Sequence, residues 1–150
     1  MKLLVEFGIS FLSTVGFGII TNVPRRSLLP GGITGAVAWT VYVILNTQLD
    51  SLFFPNAVAA LIIGILGNCF SIKFKVPVNI IYIPSLVSLV PGGIIYEAMK
   101  DFTQGNIAPA QVNLMNTLII AISLAGGFFV AEIIFKGIRA RIRQQQLSKH

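Results

Sequence analysis

The residues best able to do chemistry lie in one stretch, Ile83-Pro84-Ser85-Leu86-Val87-Ser88-Leu89-Val90-Pro91-Gly92-Gly93-Ile94-Ile95-Tyr96. An interior proline has no N–H to donate and clashes with the preceding turn, which costs a helix about 3 kcal/mol. The residues before each proline, Ile83 and Val90, are biased away from the α region. Gly92 and Gly93 add backbone freedom just after the second proline. The pattern predicts a break followed by a short half-helix, Ile94 to Met99, whose free N–H groups point into the membrane. Such an end carries partial positive charge and holds anions; transporters use discontinuous helices in this way to bind a substrate carboxylate. Ser85 and Ser88 add hydroxyls, and Tyr96 a phenol. Pro84, Ser85, Ser88, Pro91, Gly92, Gly93 and Tyr96 are therefore the expected substrate-binding residues. The competing reading is a proline kink used only for packing.

Two further groups carry polar chemistry. Arg25 and Arg26 directly follow Asn22-Val23-Pro24, and a guanidinium fork matches a carboxylate. Asn22, Pro24, Arg25 and Arg26 are expected to form a gate for substrate entry, against a purely topological role for the two arginines. Near the N-terminus, Glu6, Ser10, Ser13, Thr14 and Thr21 fall near one helical face. Glu6, Ser10 and Thr14 are expected to line a pathway; the alternative is helix–helix hydrogen bonding, which membrane helices use routinely. Glu6, Glu97 and Glu132 sit near segment ends, where interfacial solvation or a Glu132–Lys136 pair explains them. Ala57, Ala60, Gly64 and Gly67 share one face and read as a packing surface.

Nothing in the sequence supports catalysis. It has no nucleophile elbow, phosphate-binding loop, paired histidines or close carboxylate pair, and no cofactor or metal site is expected. Cys69 is the only cysteine and His150 the only histidine, so neither has a partner for a disulfide or a metal.

The elements that must position these residues are membrane helices. The chain of 150 residues is 55% hydrophobic and only 11% charged, and its mean hydropathy is +0.84. Such values describe a membrane protein rather than a soluble domain. The net charge of +6 does not imply nucleic acid, because the basic residues flank apolar segments rather than form a face. The apolar N-terminal run carries Glu6, lacks a small-x-small cleavage site and continues too far for a signal peptide, so it is expected to remain in the protein.

Five segments are close to the roughly 20 residues a bilayer crossing takes. They are Leu3 to Val23, Pro30 to Thr47, Leu52 to Ile72, Val78 to Met99 and Val112 to Phe135, with a loop from Lys100 to Ala110. The expected fold is thus an all-α integral membrane protein with about five transmembrane helices, the fourth broken by Pro and Gly. A transmembrane domain over residues 1–135 precedes a basic cytoplasmic tail over residues 136–150. Arg25, Arg26, Lys73, Lys75, Lys136, Arg139, Arg141, Arg143 and Lys149 follow segments one, three and five, nine residues against Lys2 and Lys100 on the other side. Lys and Arg concentrate on the cytoplasmic side, so the N-terminus is expected outside and the C-terminus inside. A re-entrant fourth segment is the alternative to a full crossing.

Gly16-Phe17-Gly18, Asn22-Val23-Pro24-Arg25-Arg26, Gly35, Trp39 and Tyr42, Lys75-Val76-Pro77, and Pro84 through Pro91-Gly92 to Tyr96 follow one another in order. Over roughly residues 15 to 100 this set resembles the threonine/serine exporter family, in particular the small membrane subunit of its split, two-subunit members. Relatives often have Pro-Gly at Pro84-Ser85 and a further proline at Ser88; the serines here imply a milder, wetter break. The resemblance implies a bacterial inner-membrane exporter of small polar metabolites, either hydroxy amino acids or a dicarboxylate such as succinate. It also implies a larger partner subunit, hence a hetero-oligomer in the lipid bilayer with a small-molecule substrate. The residues independently suggest a partner of opposite topology, because five crossings leave an inverted-repeat transporter without its second half. A non-transporting scaffold or assembly protein, or a passive small-solute channel, remains the alternative.

Overall fold

Four of the five long apolar runs become one helix each, because a segment in hydrocarbon must satisfy its backbone groups internally. The computed structural model describes the backbone of residues 1–49 and 51–147, and the side chains of these residues up to Gly137. Among the described residues there are six helices and no strand: α1 (Lys2–Ile20), α2 (Arg25–Gln48), α3 (Phe53–Phe74), α4 (Asn79–Ser85), α5 (Gly92–Thr103) and α6 (Ile107–Leu147). Four of them, α1, α2, α3 and α6, are long and apolar enough to span a membrane. The chain is an all-α membrane protein, and α4 with α5 is the broken fourth segment.

Several boundaries differ from the expected ones, and prolines explain most of the differences. The second helix starts at Arg25, not Pro30, and carries Pro30 in its interior. The loop expected from Lys100 to Ala110 shrinks to a turn at Gly105 (φ +79°), since α5 runs to Thr103 and α6 opens at Ile107. Pro109 sits in the first turn of α6, where no N–H donor is needed. Pro84 likewise does not end α4; it lies inside it, and Ile83 is helical. The half-helix expected at Ile94 to Met99 is longer at both ends, Gly92 to Thr103. The fifth expected segment, α6, continues past Phe135 to Leu147. The side chains of Arg139, Arg141 and Arg143, and all of Asp50, Lys149 and His150, lie outside the described residues.

Close approach of small residues sets the packing. α1 lies antiparallel on α2, with Glu6 beside Trp39, Ser10 beside Gly35 and Gly18 beside Leu28. α3 runs parallel to α6: Gly127 meets Ala57 and Ala60, and Ala131 meets Gly64. The face Ala57, Ala60, Gly64 and Gly67 is thus a packing surface, with Tyr82 of α4 filling the space over Gly67. Ala38, Ala59, Ile63 and Leu89 form the core, with Trp39, Tyr42, Tyr82 and Phe128 around them.

The fourth segment traverses the bundle. Tyr82 bonds to α3 at Gly64, Ser85 reaches Gly31 of α2, and Ser88 meets Ser10, which bonds Gly35 O farther along α2. The segment therefore travels in the direction of α2, and α5 carries on to the end where α6 begins. It does not double back.

Candidate functional site

The break occupies Leu86 to Pro91, between α4 and α5. Its backbone is not left bare. Val87 N–H donates to Pro84 O at 3.3 Å, Leu89 N–H to Leu86 O at 2.8 Å and Val90 N–H to Leu86 O at 3.1 Å. A run of tight turns thus replaces the helical ladder, as membrane depth requires. α5 then starts with Pro91 as N-cap and no side-chain cap. Ile95 N–H donates to Pro91 O at 3.1 Å, while the N–H groups of Gly93 and Ile94 have no backbone partner. Gly92 and Gly93 are exposed, neither has a positive φ, and a Cβ on either would meet nothing within 4 Å. Their expected backbone freedom is not used here; what they leave is open space around two free donors.

A groove of about 480 Å³ runs beside the break, lined by Phe17, Ile83, Leu86, Val87, Val90 and Gly92. A second cavity, of about 170 Å³, lies toward the α1–α2 loop between Thr21, Val23, Asn79, Ile80, Ile83 and Pro84. Ile83 lines both, so the two follow one another along the boundary of α1 with α4.

The hydroxyls of the expected site divide. Ser88 is half-buried, and its Oγ lies 2.9 Å from Ser10 Oγ. Ser10 donates to the Gly35 carbonyl at 3.3 Å, which leaves Ser88 to donate to Ser10. Ser85 is fully buried, with its hydroxyl 3.0 Å from Gly31 O and 2.7 Å from Ile81 O. It ties α4 to α2 instead of facing the groove. Tyr96 is exposed on α5 and stands outside the groove lining. Pro84 borders the smaller cavity, and Gly92 the larger.

On α1, Ser10 and Thr14 are buried, while Ser13 is exposed because its 100° steps carry it off that face. Thr14 Oγ1 has no hydrogen-bond partner although the residue is 1% exposed. Glu6 is half-buried and accepts a hydrogen bond from Trp39 Nε1 at 2.8 Å, which ties the N-terminal part of α1 to the C-terminal half of α2. Glu132 pairs with Lys136 at 3.3 Å on the exposed side of α6.

The expected entry residues cluster at the α1–α2 turn, and one of them has a clear local job. Asn22 adopts φ +57°, with its N–H on Ile19 O at 3.1 Å and Val23 N–H on Gly18 O at 2.8 Å. This is a left-handed helix stop, for which asparagine stands second to glycine. Pro24 caps α2, and Arg25 and Arg26 follow, exposed. No cluster of residues able to hold a metal ion occurs among the described residues.

Sequence reasoning missed the groove's apolar lining, Phe17 and Val87 above all, because nothing in an apolar run marks which side faces a cavity. It also missed Tyr82 and Asn68. The Tyr82 hydroxyl donates to Gly64 O at 2.9 Å and lies within hydrogen-bond distance of Asn68 Nδ2. An asparagine and a tyrosine at membrane depth were signal enough, since unpaired polar groups there are costly.

Four membrane-length helices and a further, broken segment with a groove at the break define a multi-pass membrane protein. The family model for the threonine/serine exporter, ThrE, matches residues 6–134. The chain belongs to the threonine/serine exporter family. No solved structure matches it.

Proposed function

We propose that this chain is the membrane subunit of a secondary exporter. Its substrates are small polar metabolites bearing a carboxylate: hydroxy amino acids such as threonine and serine, or a dicarboxylate such as succinate. The observation that carries this reading is the pair of cavities sharing Ile83, one beside Thr21 and Val23 at the α1–α2 turn and the other beside the break. In this reading Asn22, Pro24, Arg25 and Arg26 form the entrance, and Ser10, Thr14 and Glu6 the wall along α1. Pro91, Gly92 and Gly93 present the free N–H groups of Gly93 and Ile94 to the carboxylate, with Ser88 in the same break, while the exposed Tyr96 stands outside the groove. Pro84 and Ser85 set the break in place against α2.

The subunit faces the bacterial cytoplasm with its C-terminus and works with a larger subunit of opposite topology. Two features support this. Nine of eleven basic residues follow the first, third and fifth apolar segments in the sequence. In this reading the fourth segment crosses fully, which gives an odd number of passes that a second, inverted half would complement.

Efflux from loaded cells tests the proposal. Export is expected when this chain and the partner are expressed together, and not when either is absent. If cells with both genes retain the loaded solutes as long as cells with neither, the exporter reading fails.

A further inference from the structure

The two walls of the groove are held in different ways. α4 is bolted to the bundle: the Tyr82 hydroxyl donates to Gly64 O at 2.9 Å, and its ring stacks at 5.1 Å on Phe128 of α6. Ser85 adds a buried hydroxyl on the Gly31 carbonyl. Among the described residues α1, by contrast, packs on α2, α4 and the break between α4 and α5. Its polar ties are Ser10 to Ser88, Ser10 to Gly35 O, and Glu6 to Trp39. The rest of its seam with α2 sets a glycine of one helix against an apolar side chain of the other, Gly32 under Phe11 and Val15 and Gly18 under Leu28. Its other face, with Leu4, Ile9, Leu12, Ile19 and Ile20, is exposed and apolar. Such a helix can slide against lipid without uncovering polar groups.

Thr14 is the second observation. Its hydroxyl is buried in the α1–α2 seam with no partner, whereas buried polar groups are nearly always hydrogen-bonded. The closed seam therefore leaves a polar group unpaired that a wetted seam would pair.

We propose that α1 is the moving wall of the groove and that the Ser10–Ser88 contact is its latch. Closed, the latch joins α1 to the break. Open, it turns Ser10, Thr14, Ser88 and the Gly35 carbonyl toward the solute, while α4 stays clasped by Tyr82 and Ser85. The proposal rests on the transport reading above and assigns the motion to one helix.

Two cysteine staples test it, each in the full-length Cys69→Ser chain expressed with its partner. One is Ser10→Cys with Ser88→Cys. The other is Gly18→Cys with Pro84→Cys, where a Cβ at position 18 would lie 3.9 Å from that of Pro84, within the usual range for a disulfide. Oxidation is expected to cut export by roughly tenfold or more, because a locked wall cannot exchange between two forms. Dithiothreitol should restore it. Oxidised chains with no maleimide-reactive thiol left that export at the reduced rate would overturn the gate. In that case the reduced chains still export, so the transport reading stands; wild type that exports nothing removes both. Should the reduced doubles be inactive, Thr14→Cys reads the same wall. Its labelling by a water-soluble maleimide is expected to rise during turnover, and unchanged labelling overturns the proposal.

Discussion

Ser10 and Ser88, 78 positions apart in the chain, bring their hydroxyl oxygens to 2.9 Å. That contact joins the first helix to the break in the fourth segment, and the groove of about 480 Å³ opens beside it. The pairing links the two readings of the α1 hydroxyls. Ser10 makes a helix–helix hydrogen bond, and it does so at the one place where the opposite backbone is broken.

The clasp at Tyr82 gives a prediction about stability. A Cβ at Gly67 would run into the Tyr82 ring, whereas one at Gly92 would meet nothing within 4 Å. Gly67→Ala is expected to destabilise the protein by about 1–3 kcal/mol through overpacking. Gly92→Ala should be neutral or stabilising by up to about 1 kcal/mol. Thermal unfolding in detergent, followed by loss of monodisperse protein, ranks them; a Gly67→Ala protein as stable as wild type would refute the clasp.

The break itself gives a prediction in which abundance and transport move apart. Replacing Pro91, Gly92 and Gly93 together by alanine raises helix propensity by about 1 kcal/mol per glycine and about 3 kcal/mol for the proline. The helix then continues across the free N–H groups of Gly93 and Ile94. Membrane abundance is expected to hold while export falls to background. A variant exporting at the wild-type rate would reduce the break to a kink.

Arg25 and Arg26 are exposed at the start of α2, with no ion pair among the described residues. Lysine keeps the charge and loses the planar fork. The double Arg→Lys variant is expected to insert with unchanged orientation and to export more slowly at low solute concentration. Equal export at equal abundance would leave only an orienting role.

Orientation is tested separately by a reporter fused after His150. Activity is expected only from a reporter that works in the cytoplasm. A periplasm-dependent reporter active at this position would invert the topology.

Identical tripeptides show where the sequence stops determining the structure. Pro30-Gly31-Gly32 and Pro91-Gly92-Gly93 have the same local preferences. The sequence alone determined that the chain is a set of membrane helices, that the fourth segment is interrupted, and that most basic residues follow the first, third and fifth segments. Those follow from the length of apolar runs, from composition and from charge, which act regardless of neighbours. Only the tertiary structure decided that the first tripeptide stays helical. There Phe11 and Val15 cover Gly32, Ser85 bonds Gly31 O, and Thr34 bonds Pro30 O at 2.7 Å, so packing offsets the proline's cost of about 3 kcal/mol. Around Gly92 and Gly93 nothing packs, no such compensation exists, and the helix begins anew at Gly92. The groove, the Ser10–Ser88 contact and the Tyr82 clasp belong to the same class. They depend on which faces of distant helices meet, and that is settled by where a glycine lets another side chain come close.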